Sequence, residues 1–131
     1  MTVFVSHSTE FDYQKELYDP IRKSPLSERY TILMPFETEN MPYEVKPFFR
    51  SGKCDVLIAE CSHPSIGIGL EIGWANMSGI KIVCIYKKGI MASAALKMVS
   101  DYFLEYDDAK DLTTQIERVL KLINPESPLT A

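Results

Sequence analysis

An α/β fold built on a parallel sheet is what this 131-residue sequence predicts, on three observations. Short apolar runs alternate with amphipathic stretches along the chain. One run, Asp55–Ala59 (DVLIA), is continuously apolar after its leading aspartate, as a strand covered on both faces requires. The stretches between the runs are long enough for the helical crossovers that parallel neighbours need.

Thr2–Ser6 (TVFVS), short and β-branched, reads as the first strand. Glu10 to about Ser24 reads as a helix with Tyr13, Leu17 and Ile21 on one stripe, its last turn distorted by Pro20. Tyr30–Met34 is the second strand. Pro35, Pro42 and Pro47 then break the pattern over residues 35–53, with a short helix over Glu44–Ser51. Asp55–Ala59 is the third strand, and Ile66–Ser78 is a helix stopped by Gly79. Lys81–Tyr86 is the fourth strand, Met91–Val99 a helix of small and apolar residues, and Tyr102–Tyr106 the fifth strand. Ala109–Ile123 closes the chain as an amphipathic helix with Leu112, Ile116, Leu120 and Ile123 on its stripe, before a frayed tail. Five strands in this alternation predict a flavodoxin/Rossmann-like three-layer sandwich of order 2-1-3-4-5, a single domain over 1–131. Ligands of such sheets sit beyond the carboxyl ends of the strands, near the switch point. That brings Ser6–Thr9 and Glu60–Glu71 to one mouth.

Composition narrows the function classes. A hydrophobic fraction of 46% with 24% charged residues is that of a soluble globular chain, and a net charge of −4 argues against binding a nucleic acid polymer. A single nucleotide needs only a local anion pocket. The opening MTVFVSHSTEFD lacks the basic and long apolar regions of a signal peptide. No apolar run reads as a membrane span; the nearest, Cys61–Ile80, holds four glycines besides Glu71. Cys54, Cys61 and Cys84 lie in or near strand-like runs, which reads as reduced, buried thiols in a cytoplasmic protein. With only His7 and His63 to join them, no metal-ligand spacing recurs.

The chemistry is carried by CDVLIAECSHPSIGIGLEIGWA, residues 54–75. It runs strand, loop, glycine-punctuated helix start, helix. Ser65 is placed to cap that helix, whose free N–H groups and partial positive charge suit a phosphate. Gly67 and Gly69 let a ligand approach the backbone; a helical glycine costs about 1 kcal/mol against alanine, so two in the first turns call for a reason. Glu71 is the only formally charged side chain between Cys61 and Ile80. A lone carboxylate among Ile68, Leu70, Ile72 and Trp74 is expensive to bury unless it is paired or used. On the residues alone two readings stand: a catalytic acid over an anion cradle, or a cap and a partly solvated acid in the first turns of a helix.

The run PSIGIGLEIGWA, with an Asp-led strand before it and a Lys-Ile-Val strand after it, resembles the nucleoside 2-deoxyribosyltransferase family. It is most similar to the branch of 2′-deoxynucleoside 5′-monophosphate N-glycosidases, closely over 54–86 and loosely over 1–100. The resemblance implies that Glu71 is the nucleophile that attacks the anomeric carbon, with no metal or organic cofactor. It implies phosphate contacts at Ser65, where a serine can donate and an aspartate would repel, and at Ser8. Gly67 and Gly69 belong to the same cradle. Ser93 matches a serine that these hydrolases lend across a dimer interface, so a homodimer or higher homo-oligomer is implied. Phe4 falls where the family has an aromatic near the sugar, although on sequence alone an ordinary core residue is the favoured reading of a strand phenylalanine. His7 stands where the hydrolases have glycine, either contacting ligand or pointing to solvent. One departure matters: the family's aspartate upstream of the Asp55 position, which helps handle the leaving base, is Pro47 here, and Glu44 or Glu39 are the acids near enough to substitute. Phe48, Phe49 and Tyr43 are read as core beneath the loop rather than as base-stacking rings.

Hydrolysis of a (2′-deoxy)nucleoside 5′-monophosphate is therefore the expected function. One rival is deoxyribosyl transfer between unphosphorylated nucleosides, against which Ser65 argues. Another is a non-catalytic nucleotide-binding or signalling module, since VFVSHSTEFD is also similar to the start of Toll/interleukin receptor-type domains.

Overall fold

The computed structural model describes residues 1–37 and 44–124. Its elements follow the chain as β1 (Thr2–Ser6), a π-helical turn (Gln14–Tyr18) running into α1 (Asp19–Lys23), α2 (Leu26–Arg29), β2 (Thr31–Leu33), α3 (Val45–Arg50), β3 (Val56–Glu60), α4 (Ile66–Met77), β4 (Lys81–Lys87), a 3-10 turn (Ala94–Met98), β5 (Tyr102–Tyr106) and α5 (Ala109–Ile123). The strands form one parallel sheet of order β2-β1-β3-β4-β5, as predicted.

Strand alternation divides the sheet's side chains between two cores. Val3, Val5, Val56, Ile58, Val83 and Ile85 face α1, α2 and α5, where Leu17, Ile21, Leu26, Leu112, Ile116 and Leu120 cover them. Phe4, Leu57, Ala59, Ile82 and Cys84 face α3 and α4, against Phe48, Phe49, Ile68, Ile72 and Ala75. Ser6 shares the parity of Phe4, so it points toward α4. Glu60 shares the parity of Ile58, so it points the other way. This one-residue logic decides what each group at the sheet's mouth can reach.

Gly79 ends α4 as expected. Its φ of +75° is the left-handed backbone that favours glycine. The Ile80 N–H reaches back to the Ala75 carbonyl (3.0 Å), the Gly79 N–H reaches the Asn76 carbonyl (3.1 Å), and Ile80 packs into the same core as Ala75.

Three elements differ from expectation. The helix predicted from Glu10 starts at Gln14 with a π turn, and α1 stops at Lys23 because Ser24, extended ahead of Pro25, cannot continue it. Pro20 sits in α1 just beyond the π turn, with no N–H to return to the preceding turn. A separate helical turn, α2, follows Pro25 where none was expected. The helix predicted over Met91–Val99 is only a 3-10 turn, Ala94–Met98, started by the Ser93 hydroxyl accepting the Ala95 N–H. Leu96 and Val99 pack against the second core, but Met91, Ala94, Ala95 and Met98 are exposed, so the apolar contact is too narrow to hold a longer helix down. The three cysteines are free; Cys54 and Cys84 are buried and Cys61 half-buried, and burial pushes the Cys54 thiol up to about 11. Among the described residues no helix is long and apolar enough to cross a membrane.

Candidate active site

At the carboxyl ends of β1 and β3 lies a cleft of about 440 Å³. Glu71, in the second turn of α4, forms part of its wall and is half-buried. The Ser6 hydroxyl, at the end of β1, donates to Glu71 Oε1 at 2.7 Å. Burial raises the carboxyl above its ordinary value, and the Ser6 hydrogen bond, which favours the charged form, opposes part of that rise. The second carboxylate oxygen has no hydrogen-bond partner among the described residues.

Beside Glu71 the wall is polar. Ser65 caps α4, its Oγ accepting the Ile68 N–H at 3.2 Å. That bond uses a lone pair and leaves the hydroxyl proton free to donate to an anion. A Cβ placed on Gly67 would meet nothing within 4 Å beyond its own helix backbone and chain neighbours, so the space directly over that residue is open. Ser8 is almost wholly buried, its Oγ accepting the Glu10 N–H at 3.0 Å, and it also borders the cleft. The remaining wall is largely apolar: Pro35, Phe36, Val45, Leu70 and Trp74.

Of the residues named from sequence, Glu71, Ser8, Ser65 and Gly67 thus meet at one cleft, with His7 beside them. The others lie elsewhere. Phe4 is fully buried, edge-on to Phe49 with ring centroids 5.2 Å apart, as a core residue. Gly69 and Ser93 line a separate hollow of about 330 Å³ on the other side of the α4 N-terminus, which shares Ser65 with the cleft. Phe48 and Phe49 are buried core, as read from sequence. Pro47 lies in the first turn of α3, where a missing N–H costs nothing, and with Glu44 it borders a shallow groove beyond Trp74 rather than the cleft. Glu39 and Tyr43 lie outside the described residues.

Three residues have partners or positions here that the sequence did not assign them. Ser6 is one; its signal was the shared parity with Phe4, which faces α4. His7 is another. It does not point to solvent but is 7% exposed, with Nδ1 donating to the Ser8 carbonyl (2.8 Å) and Nε2 accepting from the Tyr18 hydroxyl (2.5 Å). The carbonyl can only accept, which fixes the proton on Nδ1. Burial lowers the imidazole's proton affinity and raises the Tyr18 phenol's, so both stay neutral in these roles. The third is Phe36, which is half-exposed at the cleft wall.

A doubly wound α/β domain with an acid at its switch-point cleft is the class these observations define, and comparison with known proteins agrees on the fold. No family model matches the chain. The structure of the Clostridium botulinum CMP N-glycosidase BcmB superposes with a TM-score of 0.64 at 20% identity, covering 89% of this chain and 99% of that one. A signal receiver domain of a LuxO repressor protein from Vibrio parahaemolyticus superposes with a TM-score of 0.56 at 18% identity, covering 95% and 92%. At such identities these likenesses show the fold alone.

In sequence the chain is 30% identical over 79 residues to the 5-hydroxymethyl-dUMP N-hydrolase of Rattus norvegicus, covering 56% of this chain and 48% of that protein. It therefore spans about half the length of the curated relative it matches. The similarity to nucleotide N-glycosidases of the nucleoside deoxyribosyltransferase-like kind is real and distant.

Proposed function

We propose that this chain hydrolyses the N-glycosidic bond of a (2′-deoxy)nucleoside 5′-monophosphate, with Glu71 as nucleophile. The observation that carries the reading is a half-buried carboxylate, held through one oxygen by Ser6, beside a serine-capped helix start in a cleft of nucleotide size. The phosphate sits against Ser8, Ser65 and the first amides of α4, so binding energy remote from the reacting bond positions the sugar. A Glu71 oxygen attacks C1′ as the C1′–N bond breaks and its electron pair leaves on the base. Water then hydrolyses the glycosyl ester, releasing the sugar 5-phosphate and restoring the carboxylate, and the proton that the water gives up balances the one taken by the departed base. The test is incubation of deoxynucleoside monophosphates with wild type and Glu71→Ala, with chromatography of free base. Release by wild type and at least about 10³-fold less by the variant is the expected result. Equal turnover by both overturns the assignment.

We also propose that it works as a homodimer or higher homo-oligomer joined through α4. Ile66, Leu70 and Met77 recur at helical spacing on its outer face and are 84%, 50% and 86% exposed, while Ile68, Ile72 and Ala75 are buried on the inner face. A helix apolar on both faces is one that a fold normally covers. Sedimentation is expected to show an oligomer that Ile66→Glu converts to monomer; a monomeric wild type at micromolar concentration refutes this.

A further inference from the structure

Phe36 is a large apolar side chain left 50% exposed, while its backbone is tied into the fold. Its N–H donates to the Tyr18 hydroxyl at 3.2 Å. That hydroxyl in turn donates to His7, which donates to the Ser8 carbonyl, so a three-step strut ties Phe36 to the polar wall of the cleft. The next residue, Glu37, is clamped by Arg22, whose Nε donates to its carboxylate at 2.6 Å and whose guanidinium also holds the Ile32 carbonyl at 2.7 Å. The ring rests on His7 and Tyr13, with centroids 5.7 and 5.5 Å away. A ring supported on one side by His7 and the half-buried Tyr13, and open on the other among the described residues, at a cleft wall, is a stacking surface.

Its place in the cleft says what it stacks. A nucleotide runs phosphate, sugar, base. With phosphate at Ser8 and Ser65 and C1′ at Glu71, the base must leave the polar wall, and the apolar remainder of the cleft is where Phe36 stands. We infer that the exposed face of Phe36 is the platform for the nucleobase and that His7 and Tyr18 are positioning residues that hold it. This rests on the reading of the cleft as a nucleotide site. It deepens that reading by assigning base contact to a residue of the loop after β2. Stacking is tolerant of base identity, because every base has a π-face, so the platform supplies affinity for a planar base rather than choice among bases.

The experiment measures binding of two ligands, a deoxynucleoside 5′-monophosphate and 2-deoxyribose 5-phosphate, to the full chain carrying Glu71→Gln, which prevents turnover. Calorimetry reads both. Adding Phe36→Ala is expected to weaken the nucleotide roughly ten- to hundredfold and to leave the sugar phosphate unchanged. Phe36→Trp retains nucleotide affinity. Tyr18→Phe, which keeps the ring and removes the strut's hydroxyl, weakens the nucleotide by a smaller factor and again spares the sugar phosphate. Equal loss of both ligands in Phe36→Ala means that the ring only supports the fold, and no loss of either means that the base lies elsewhere; both overturn the platform. Failure of the parent protein to bind either ligand overturns the nucleotide reading itself, a different outcome from these two.

Discussion

Two carboxylates, Glu60 and Glu71, flank the carboxyl end of β3, and they face opposite sides of the sheet. Glu60 is fully buried, with one oxygen accepting the Ser62 N–H and the other the Tyr106 hydroxyl. Its hydrogen-bonding capacity goes to tying the loop after β3 to the end of β5. Glu71 is less buried, has one oxygen on Ser6, and faces a cleft. The more buried acid is therefore the structural one. Burial makes an acid costly, but what distinguishes a site is the hydrogen-bonding capacity left over and the open space it faces.

That contrast can be broken most sharply at Glu71. Glu71→Gln keeps shape and the bond to Ser6 but cannot attack carbon, so turnover should fall by at least about 10³-fold. Stability should not fall with it. A carboxyl whose folded value is raised stabilises the fold when protonated, and that contribution is lost as pH rises through the folded value. At neutral pH the ionised Glu71 opposes folding, and the amide relieves this. Thermal melts at pH 7 should place Glu71→Gln at or above wild type, with the advantage shrinking toward pH 4; a lower melting point at pH 7 would make Glu71 structural after all.

The next largest effect is at Glu60. Glu60→Leu strands the Ser62 N–H and the Tyr106 hydroxyl in the core and should cost about 3 kcal/mol, a drop in Tm on the order of 10 °C. Activity per folded molecule should be retained. Activity lost ahead of stability would erase the distinction between the two acids.

The smallest effect tests the shared bond. Ser6→Ala removes the donor that favours ionised Glu71, so the carboxyl should rise further. If Glu71 must be ionised to react, the acid limb of kcat/KM moves to higher pH, and kcat/KM above that limb falls about tenfold. An unmoved acid limb would mean that the pH profile reports another group.

Much of this architecture was legible because strands announce themselves. DVLIA and KIVCIY are apolar enough to be central strands, and the topology rule then brings Ser8, Ser65, Gly67 and Glu71 to one cleft although 63 positions separate the first from the last. What stayed hidden was pairwise. The Ser6–Glu71 bond spans 65 positions and the Phe36–Tyr18 bond 18, and nothing local in either stretch signals a partner. Phe4 and Phe36 look alike in sequence, each an aromatic in or just after a short strand. One is a core residue beneath α3 and the other is half-exposed, because Phe4 lies inside the sheet and Phe36 lies beyond its end. The segment 91–99 failed for the opposite reason: its residues suit a helix, but only Leu96 and Val99 find a core to pack on, which holds a turn and no more.

The π turn before Pro20 carries one more consequence. Tyr18 is its last residue, and a π turn holds more backbone per revolution than an α turn. That turn carries an extra residue, so losing one from Gln14–Glu16 is absorbed by reversion to α-helical winding, which leaves the Tyr18 phenol on the side that meets His7. A one-residue shortening of this turn thereby leaves the residues lining the cleft in their places.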